Sequence, residues 1–534
     1  MKRTTFLCAA LAVVSIPTFA GGLLTNTNQN IAFLRNPARD GAIGIDGVYS
    51  NPAGVTWLNR GFHLSINLQS AYQTREVTST FLPFAYKASD PGNTTRLFKG
   101  KAKAPVVPSY QLAYNTDRWS FSSSFAVGGG GGKCTFDDGL GSFESQAALL
   151  ALVGKEMGIN RYDLDSYMRG RQYYYGFQLG AGYKITEHLA AFAGARVVYA
   201  SSNYYGYVKN IQVNNPETGE MTSASGLFQA NYEKAVGAAT AFKVLAEQAT
   251  AAGNAALAAG DEALAAQYAQ QAATHMAQAQ EMGEKARQMG TLAVATQDVD
   301  LNCDQTGWGL TPVLGLDFKY GKFNVGAKYE FKTRMRLKNR AANSASAANL
   351  SALDMYRDGR KVAADIPALL TVGAQYEILP TWRVMAGYHH FFDKQATQSS
   401  NDHKLLSSGT NEYLFGMEYD ICDRVQVSAG AQSTNFGMTD EYMKDMSFNV
   451  SSTSMGLGVG VRLTRKMKLN LAYFQTFYRT YDRYTNDYNK VSSVVALAKG
   501  SEAAQALVNT GVLGGSDAFT RTNKVIGVGL DIDF

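Results

Sequence analysis

Asn523-Lys524-Val525-Ile526-Gly527-Val528-Gly529-Leu530-Asp531-Ile532-Asp533-Phe534 alternates with a period of two. Ile526, Val528, Leu530, Ile532 and Phe534 share one face, and Gly527, Gly529, Asp531 and Asp533 share the other. Successive side chains of a strand point to opposite sides, so the stretch is a strand with one apolar face and one small or polar face. The pattern recurs upstream. Phe62, Leu64, Ile66 and Leu68 alternate with His63, Ser65, Asn67 and Gln69. Phe323, Val325, Ala327, Tyr329 and Phe331 alternate with Asn324, Gly326, Lys328, Glu330 and Lys332. Tyr413 to Asp420 and Ser454 to Leu463 repeat it. Charges on the second face are too frequent for a dry core. They suit a barrel with lipid outside and a polar or small-residue lumen, in which every backbone group pairs around the ring.

Composition agrees. The 534 residues include 52 Gly, 30 Tyr and 27 Phe but only 11 Pro, and 18% are charged, which favours many strands over helical domains. Beyond the first twenty residues no apolar run reaches the length of a membrane helix. The net charge of +6 comes with no basic block, which disfavours nucleic acid as a partner. Lys2 and Arg3, the apolar run Phe6 to Ile16 and the small residues around Ala20 form the pattern of a secretory signal peptide over residues 1–20. Its removal would lower the charge from +6 to +4 by the loss of Lys2 and Arg3. Cys134, Cys303 and Cys422 would remain, enough for one bridge, with Cys134–Cys303 the pair considered, and one free thiol. The terminal Phe534 on the apolar face, after a signal peptide, is similar to the assembly signal of outer-membrane barrels. The barrel assembly machinery of a Gram-negative bacterium is then an expected partner.

Fourteen segments begin near Phe62, Ser109, Trp119, Tyr173, Leu189, Gly307, Phe323, Ala368, Trp382, Asn411, Val425, Ser452, Lys468 and Asn523. Tight turns such as Thr186-Glu187-His188 and Cys422-Asp423-Arg424 alternate with long connections, as periplasmic turns alternate with extracellular loops in bacterial barrels. The expected fold is therefore all-β: a 14-stranded antiparallel transmembrane barrel over residues 59–534, monomeric and embedded in lipid. Two segments stand apart. Residues 21–58 show little alternation and contain Asn36-Pro37-Ala38 and Asn51-Pro52-Ala53-Gly54, which by themselves read as a periplasmic tail with two turns. Residues 227–290 are rich in Ala and Gln and keep helical spacing from Phe228 to Leu245. With a break at Gly253-Asn254 and an N-cap at Asp261, they predict an extracellular helical hairpin, either a solvated decoration or an apolar capture surface.

Asp46-Gly47-Val48-Tyr49-Ser50-Asn51-Pro52-Ala53-Gly54 resembles the N-terminal plug motif of the FadL/TodX family of outer-membrane transporters of hydrophobic compounds. Val107-Pro108-Ser109-Tyr110, Asp117-Arg118-Trp119, the run Gly128 to Gly132, Gly307-Trp308-Gly309, Gly326-Ala327-Lys328-Tyr329 and Ile366-Pro367-Ala368 follow in the order of that family. The resemblance spans nearly the whole chain except the helical insertion. It implies a small hatch over residues 21–58, capture of a long-chain fatty acid or similar molecule at extracellular loops, and sideways release beside a bend in the third strand. On that basis Asn51, Pro52, Ala53 and Gly54 are the hatch residues, and Gly128, Gly130 and Gly132 mark the bend.

Alternation places Arg196, Lys328, Lys332 and Arg383 inward. Arg196, Lys328 and Arg383 are the candidates for a ligand carboxylate, unless lumen acids such as Glu330, Glu377 and Glu418 take them. The Ala-rich loop 339–365, with Leu350, Leu353 and Met355, is a second candidate wall for a capture groove. None of the six His residues accompanies a Ser-centred nucleophile motif, so no enzyme, cofactor or metal site is expected. His389 or His403 could ligate haem iron, which keeps haem, with aromatic hydrocarbons, as an alternative cargo. A structural or adhesive barrel whose insertion binds a partner is the other alternative.

Overall fold

The computed structural model describes residues 23–344 and 351–534; the signal-peptide segment and Leu350 lie outside them. Fourteen long strands form one closed antiparallel barrel. They are β1 (Gly61–Phe81), β2 (Thr95–Asn115), β3 (Trp119–Phe136), β4 (Tyr162–Lys184), β5 (Leu189–Asn214), β6 (Val299–Tyr320) and β7 (Phe323–Glu330). Then follow β8 (Leu369–Leu379), β9 (Trp382–Phe391), β10 (Thr410–Cys422), β11 (Val425–Asn435), β12 (Ser452–Arg462), β13 (Met467–Tyr478) and β14 (Gly515–Asp533). The ring closes where β14 pairs with β1, from His63↔Asp533 to Phe81↔Gly515. Each expected segment falls on one of these strands. β2, β4, β6 and β14 begin ten or so residues earlier than alternation suggested, because their ends on the long-loop side rise out of the apolar band and are no longer apolar on the outside.

The outer surface shows why the alternation was legible. Phe62, Ile66, Leu68, Leu457, Ile526 and Val528 are exposed, while their inward neighbours Ser65, Asn67, Gln69 and Asn523 are buried. An apolar exterior over a polar interior is the pattern of a protein dissolved in lipid. Trp119 and Tyr183 (ring centroids 4.6 Å) and Phe62 and Tyr114 (4.5 Å) form part of an aromatic girdle at the short-turn end. The chain is thus an outer-membrane-type β-barrel.

The long loops build a folded cap. α2 (Gly141–Val153) is buried on nearly every side, which is why its sequence shows no amphipathic period and it was not foreseen. It packs with Phe81, Phe84, Phe98, Phe136, Val494 and Val495 in one apolar core. α3 (Ala224–Ala258) and α4 (Glu262–Ala295) form the expected antiparallel hairpin, each ~50 Å long. Asp261 caps α4 by accepting from the Leu264 N–H at 2.9 Å. The expected break at Gly253-Asn254 is not there. Surrounding alanines sustain the helix, and a Cβ on Gly253 would sit 3.2 Å from the Tyr268 Cβ of α4, so the glycine permits close approach. Part of the apolar stripe is spent inside the protein, since Phe228 is buried in the cap core and Phe242 stacks on His275, while Tyr232, Val236 and Leu245 stay exposed. α5 (Ser492–Lys499) and α6 (Ser501–Asn509) complete the cap.

In the cap, the Ser142 N–H at the start of α2 donates to Asp445 at 2.7 Å. Burial, with the charge of Asp517 nearby, pushes the Asp445 carboxyl up to about 6. An acid raised in the folded state costs nothing below its unfolded value. The penalty grows as pH rises from about 4 to about 6 and is constant above, with two units worth up to ~3 kcal/mol. Asp445→Asn is therefore expected to raise the thermal midpoint relative to wild type at pH 7 and to show little difference at pH 4. A difference independent of pH would refute the assignment.

Cys134 and Cys303 are both buried and free. Register places them at one level of the wall, since Cys134 faces Gly170, Gly170 faces Tyr204 and Tyr204 faces Cys303. Three strand spacings of ~4.8 Å separate them by roughly 14 Å, about twice the reach of a disulfide. The bridge considered from sequence does not form. Cys422 is exposed at the tight turn after β10. A membrane-impermeant maleimide is expected to modify one thiol per chain in the purified folded barrel and none in intact cells. Labelling in intact cells would invert the topology.

Candidate functional site

Residues 23–58 fill the lumen, and every one of them is buried or half-buried. The segment has little regular structure beyond α1 (Ile31–Arg35) and two short turns, so its backbone and side chains find partners on the wall. Wall glycines make room for it. A Cβ on Gly416 would fall 1.7 Å from the Asn36 amide oxygen, and one on Gly326 would fall 2.1 Å from the Asp40 carbonyl. Alternation marked such glycines only as small inward residues; their role as a track for the hatch backbone needs the hatch in place.

Polar pairs hold the hatch. Arg39 bonds Asp46 and Glu418, each at 2.7 Å. Arg35 donates to Ser428 and Gln426 at 2.8 Å and to Asn470 at 2.5 Å. His389 lies between Asp40 (2.8 Å) and Glu412 (2.9 Å), so both ring nitrogens are engaged and neither is left for haem iron. His403 Nδ1 accepts from the Gln398 N–H in a loop.

The four hatch-motif residues sit together against β5 and β6. Asn51 donates to Asp317 at 2.6 Å, and Trp57 reaches the other oxygen of the same carboxylate at 2.6 Å. Pro52 lies over Gly315. Ala53 is enclosed by Ala190, Phe192 and Val313. The Asn51 amide folds back on Gly54, where any Cβ would sit 2.3 Å from its nitrogen. These contacts fasten the hatch to the wall.

The three candidate ligand cations divide. Arg196 bonds Glu330 at 2.7 and 3.2 Å and Gln178 at 2.8 Å. Lys328 donates to Glu330 and to the Tyr49 carbonyl, both at 2.8 Å, with its ammonium 3.9 Å from the Tyr49 ring centroid. These two form one cluster. Arg383 stands apart near the tight-turn end, paired with Asp420 at 2.8 Å and Glu418 at 3.6 Å. Lys332 lies beyond the end of β7 and donates to the Gln395 carbonyl.

The wall itself is interrupted. Pairing between β2 and β3 stops after Lys103↔Lys133 and resumes only at Tyr110↔Phe125. Pro105 and Pro108 bring no N–H to this stretch of β2, and Pro105 and Val106 bulge against β1. On the other edge, β3 carries two bulges against β4, between Val127 and Gly129 and between Gly130 and Gly132. Gly130 has φ +66°, and Leu24 approaches so closely that a Cβ on Gly129 would lie 2.3 Å from its carbonyl. The glycine run expected to bend the third strand, Gly128, Gly130 and Gly132 among it, forms one side of this opening. The N-terminal arm closes it from inside. Asn26 donates its backbone N–H to Gly128 O at 2.9 Å and its side-chain amide to Val127 O and Gly130 O at 3.3 and 2.9 Å.

Two cavities flank Tyr174 beside the opening. One of about 20 Å³ is lined by Thr25, Gly128, Arg196, Glu330, Ile366 and Pro367. The other, about 60 Å³, is lined by Leu24, Tyr204, Leu337, Met355, Tyr356 and Val362. Met355 places the Ala-rich loop at this inner wall. Volumes of this size hold at most a few water-sized molecules, so a larger solute enters only if the arm or the loop moves. Asn26, Tyr174 and Tyr204 were missed by sequence reasoning. The one available signal was two prolines in β2 followed by a glycine run in β3.

No protein-family model and no curated protein sequence matches the chain. Among solved structures, a Pseudomonas aeruginosa FadL homologue superposes with TM-score 0.58 at 12% identity, over 96% of this chain and all of that one. The Pseudomonas putida toluene transporter TodX superposes with TM-score 0.53 at 13% identity, again over 96% and 100%. At such identities the likeness establishes a shared fold.

Proposed function

We propose that the chain takes up hydrophobic small molecules across the outer membrane and releases them sideways through the opening between β2 and β3. The observation that carries this reading is the interrupted wall beside the Tyr174 cavities, closed from inside by an arm that Asn26 fastens to β3. The alternative route, straight down, runs through the buried Arg39–Asp46–Glu418 and Asp40–His389–Glu412 groups. An apolar solute gains nothing among those charges, whereas lipid stabilises it by about 25 cal/mol per Å² of apolar surface removed from water. Asn51, Pro52, Ala53 and Gly54 then hold the hatch while the arm yields.

The leading cargo is a long-chain fatty acid, with Arg196 at the cavity edge meeting its carboxylate in exchange for part of its bonding to Glu330. Arg383 is remote from the cavities, and Lys328 lies beneath Tyr49. A neutral aromatic hydrocarbon is the second reading, favoured by the saturation of Arg196 and by Tyr174, Tyr204 and Tyr356 around the cavities. The toluene transporter of the same fold handles such a molecule.

The test is uptake of radiolabelled oleate and of labelled toluene by cells with and without the chain, combined with identification of what the purified barrel releases on denaturation. Faster entry of oleate with a stoichiometric fatty acid supports the first cargo, and faster entry of toluene alone supports the second. Equal entry of both in the two strains overturns the transport reading and leaves the helical hairpin as the feature to explain.

A further inference from the structure

Above the wall opening the outer face of β2, β3 and β4 is strongly cationic. Lys99, Lys101 and Lys103 of β2, Lys133 of β3 and Arg171 of β4 are exposed at alternate, outward positions. Register aligns them across the sheet: Lys103 faces Lys133, and Lys133 faces Arg171. Like charges directly opposite destabilise a sheet. Lys99 is relieved by Glu76 at 2.6 Å. Lys101, Lys103, Lys133 and Arg171 make no ion pair with a carboxylate among the described residues. The neighbouring outward carboxylate of Asp304 is bonded by Asn203 at 2.9 Å.

The level of the patch says what could relieve it. On β4, twelve residues separate Tyr183, in the girdle at the short-turn end, from Arg171. At ~3.3 Å per residue and ~40° tilt, this is roughly 30 Å along the membrane normal, just past an apolar band of ~25 Å. Tyr173 and Tyr175, stacked at 5.7 Å, lie immediately below the patch. The cations therefore stand at the headgroup level of the outer leaflet, with an aromatic and apolar surface beneath them that includes the exposed Val106 at the rim of the opening.

We propose that this face binds a phosphate-bearing lipid of the outer leaflet, its phosphate on Lys101, Lys103, Lys133 and Arg171 and its acyl chains over Tyr173, Tyr175 and the opening. Arginine can grip phosphate with two parallel hydrogen bonds, and lysines on adjacent strands, ~5 Å apart, can share its remaining oxygens. A soluble anion would satisfy the charges but not the apolar surface below them. The inference rests on the membrane-spanning fold and not on the identity of any transported solute.

The full-length barrel, extracted from outer membranes in mild detergent, is to be examined by native mass spectrometry. Wild type is expected to carry a phosphorylated lipid. Lys101→Gln/Lys103→Gln/Lys133→Gln is expected to bind it ~100-fold more weakly, at about fivefold per cation near a membrane surface. Lys234→Gln/Lys243→Gln/Lys285→Gln in the helical hairpin, which removes the same charge elsewhere, is expected to retain it. The heat-modifiable gel shift checks that each variant forms its barrel. These substitutions point away from the lumen, and Arg171→Gln alone serves if the triple variant does not fold. Wild type without phosphorylated lipid, equal loss in both triple variants, or displacement of the lipid by inorganic phosphate alone would overturn the proposal.

Discussion

Uptake of an apolar solute is expected to fall at least tenfold when the opening between β2 and β3 is made ordinary sheet. The variant combines Pro105→Thr and Pro108→Thr with Gly128→Thr and Gly130→Thr. The prolines deprive β2 of donors, and the bulged glycines turn β3 away from its neighbour. Restoring donors and strand-forming residues lets the interrupted rungs close. Six new ladder bonds at ~0.5–1.5 kcal/mol each amount to several kcal/mol that must be broken for lateral passage. Each ~1.4 kcal/mol is a factor of ten in rate, so tenfold is a conservative expectation. Gly130→Thr cannot keep the present bulge, since its Cβ would lie 2.5 Å from the Gln172 carbonyl at a φ of +66°. Asn26→Ala is the complementary variant. It leaves the wall intact, loosens the arm and is expected to raise uptake. Unchanged uptake in the closed variant, with a normal heat-modifiable barrel, would eliminate lateral release.

Glu330→Ala is expected to be the most destabilising single substitution in the lumen. Arg196, Lys328 and Glu330 are all buried, and the one carboxylate answers both cations. Removing one partner of a buried pair typically costs ~3–5 kcal/mol, because the other charge remains without compensation. Here two cations are left, pressed against the Tyr49 ring. The expected result is a marked fall in thermal midpoint together with increased leakage of small hydrophilic solutes, since Tyr49 belongs to the hatch. Arg383→Ala provides the contrast. Its pairs with Asp420 and Glu418 lie in a more open part of the lumen, and Glu418 keeps Arg39, so a loss of ~1 kcal/mol or less is expected. Equal effects of the two substitutions would contradict the division of the cations into a buried cluster and a peripheral one.

The candidate site was legible only in part. The glycine run and the hatch motif could be quoted from the chain, and the inward position of Arg196, Lys328 and Arg383 followed from alternation. Which cations share a partner did not, because Glu330 lies on β7 with Lys328 whereas Arg196 reaches it from β5, 134 residues away. The same holds for His389. Its position in the chain left it open as a haem ligand, and only the folded chain brings Asp40 and Glu412 to its two nitrogens. α2 escaped notice for the opposite reason: a helix buried on nearly every side has no periodic face to display.

By itself, the sequence determined the fourteen strands, their inward and outward faces, the tight turns between them and the two long helices of the insertion. Each is a local property, a period of two or of 3.6 imposed by lipid on one side and a polar lumen or helical neighbour on the other. Tertiary structure alone decided the register, and with it the separation of Cys134 from Cys303 and the alignment of Lys103, Lys133 and Arg171. It alone decided that residues 23–58 run along the wall glycines, and that the wall is interrupted beside Tyr174. These are pairings across tens to hundreds of residues. They are selected by which buried polar group can find a partner when the ring closes, and no local pattern in the chain records that choice.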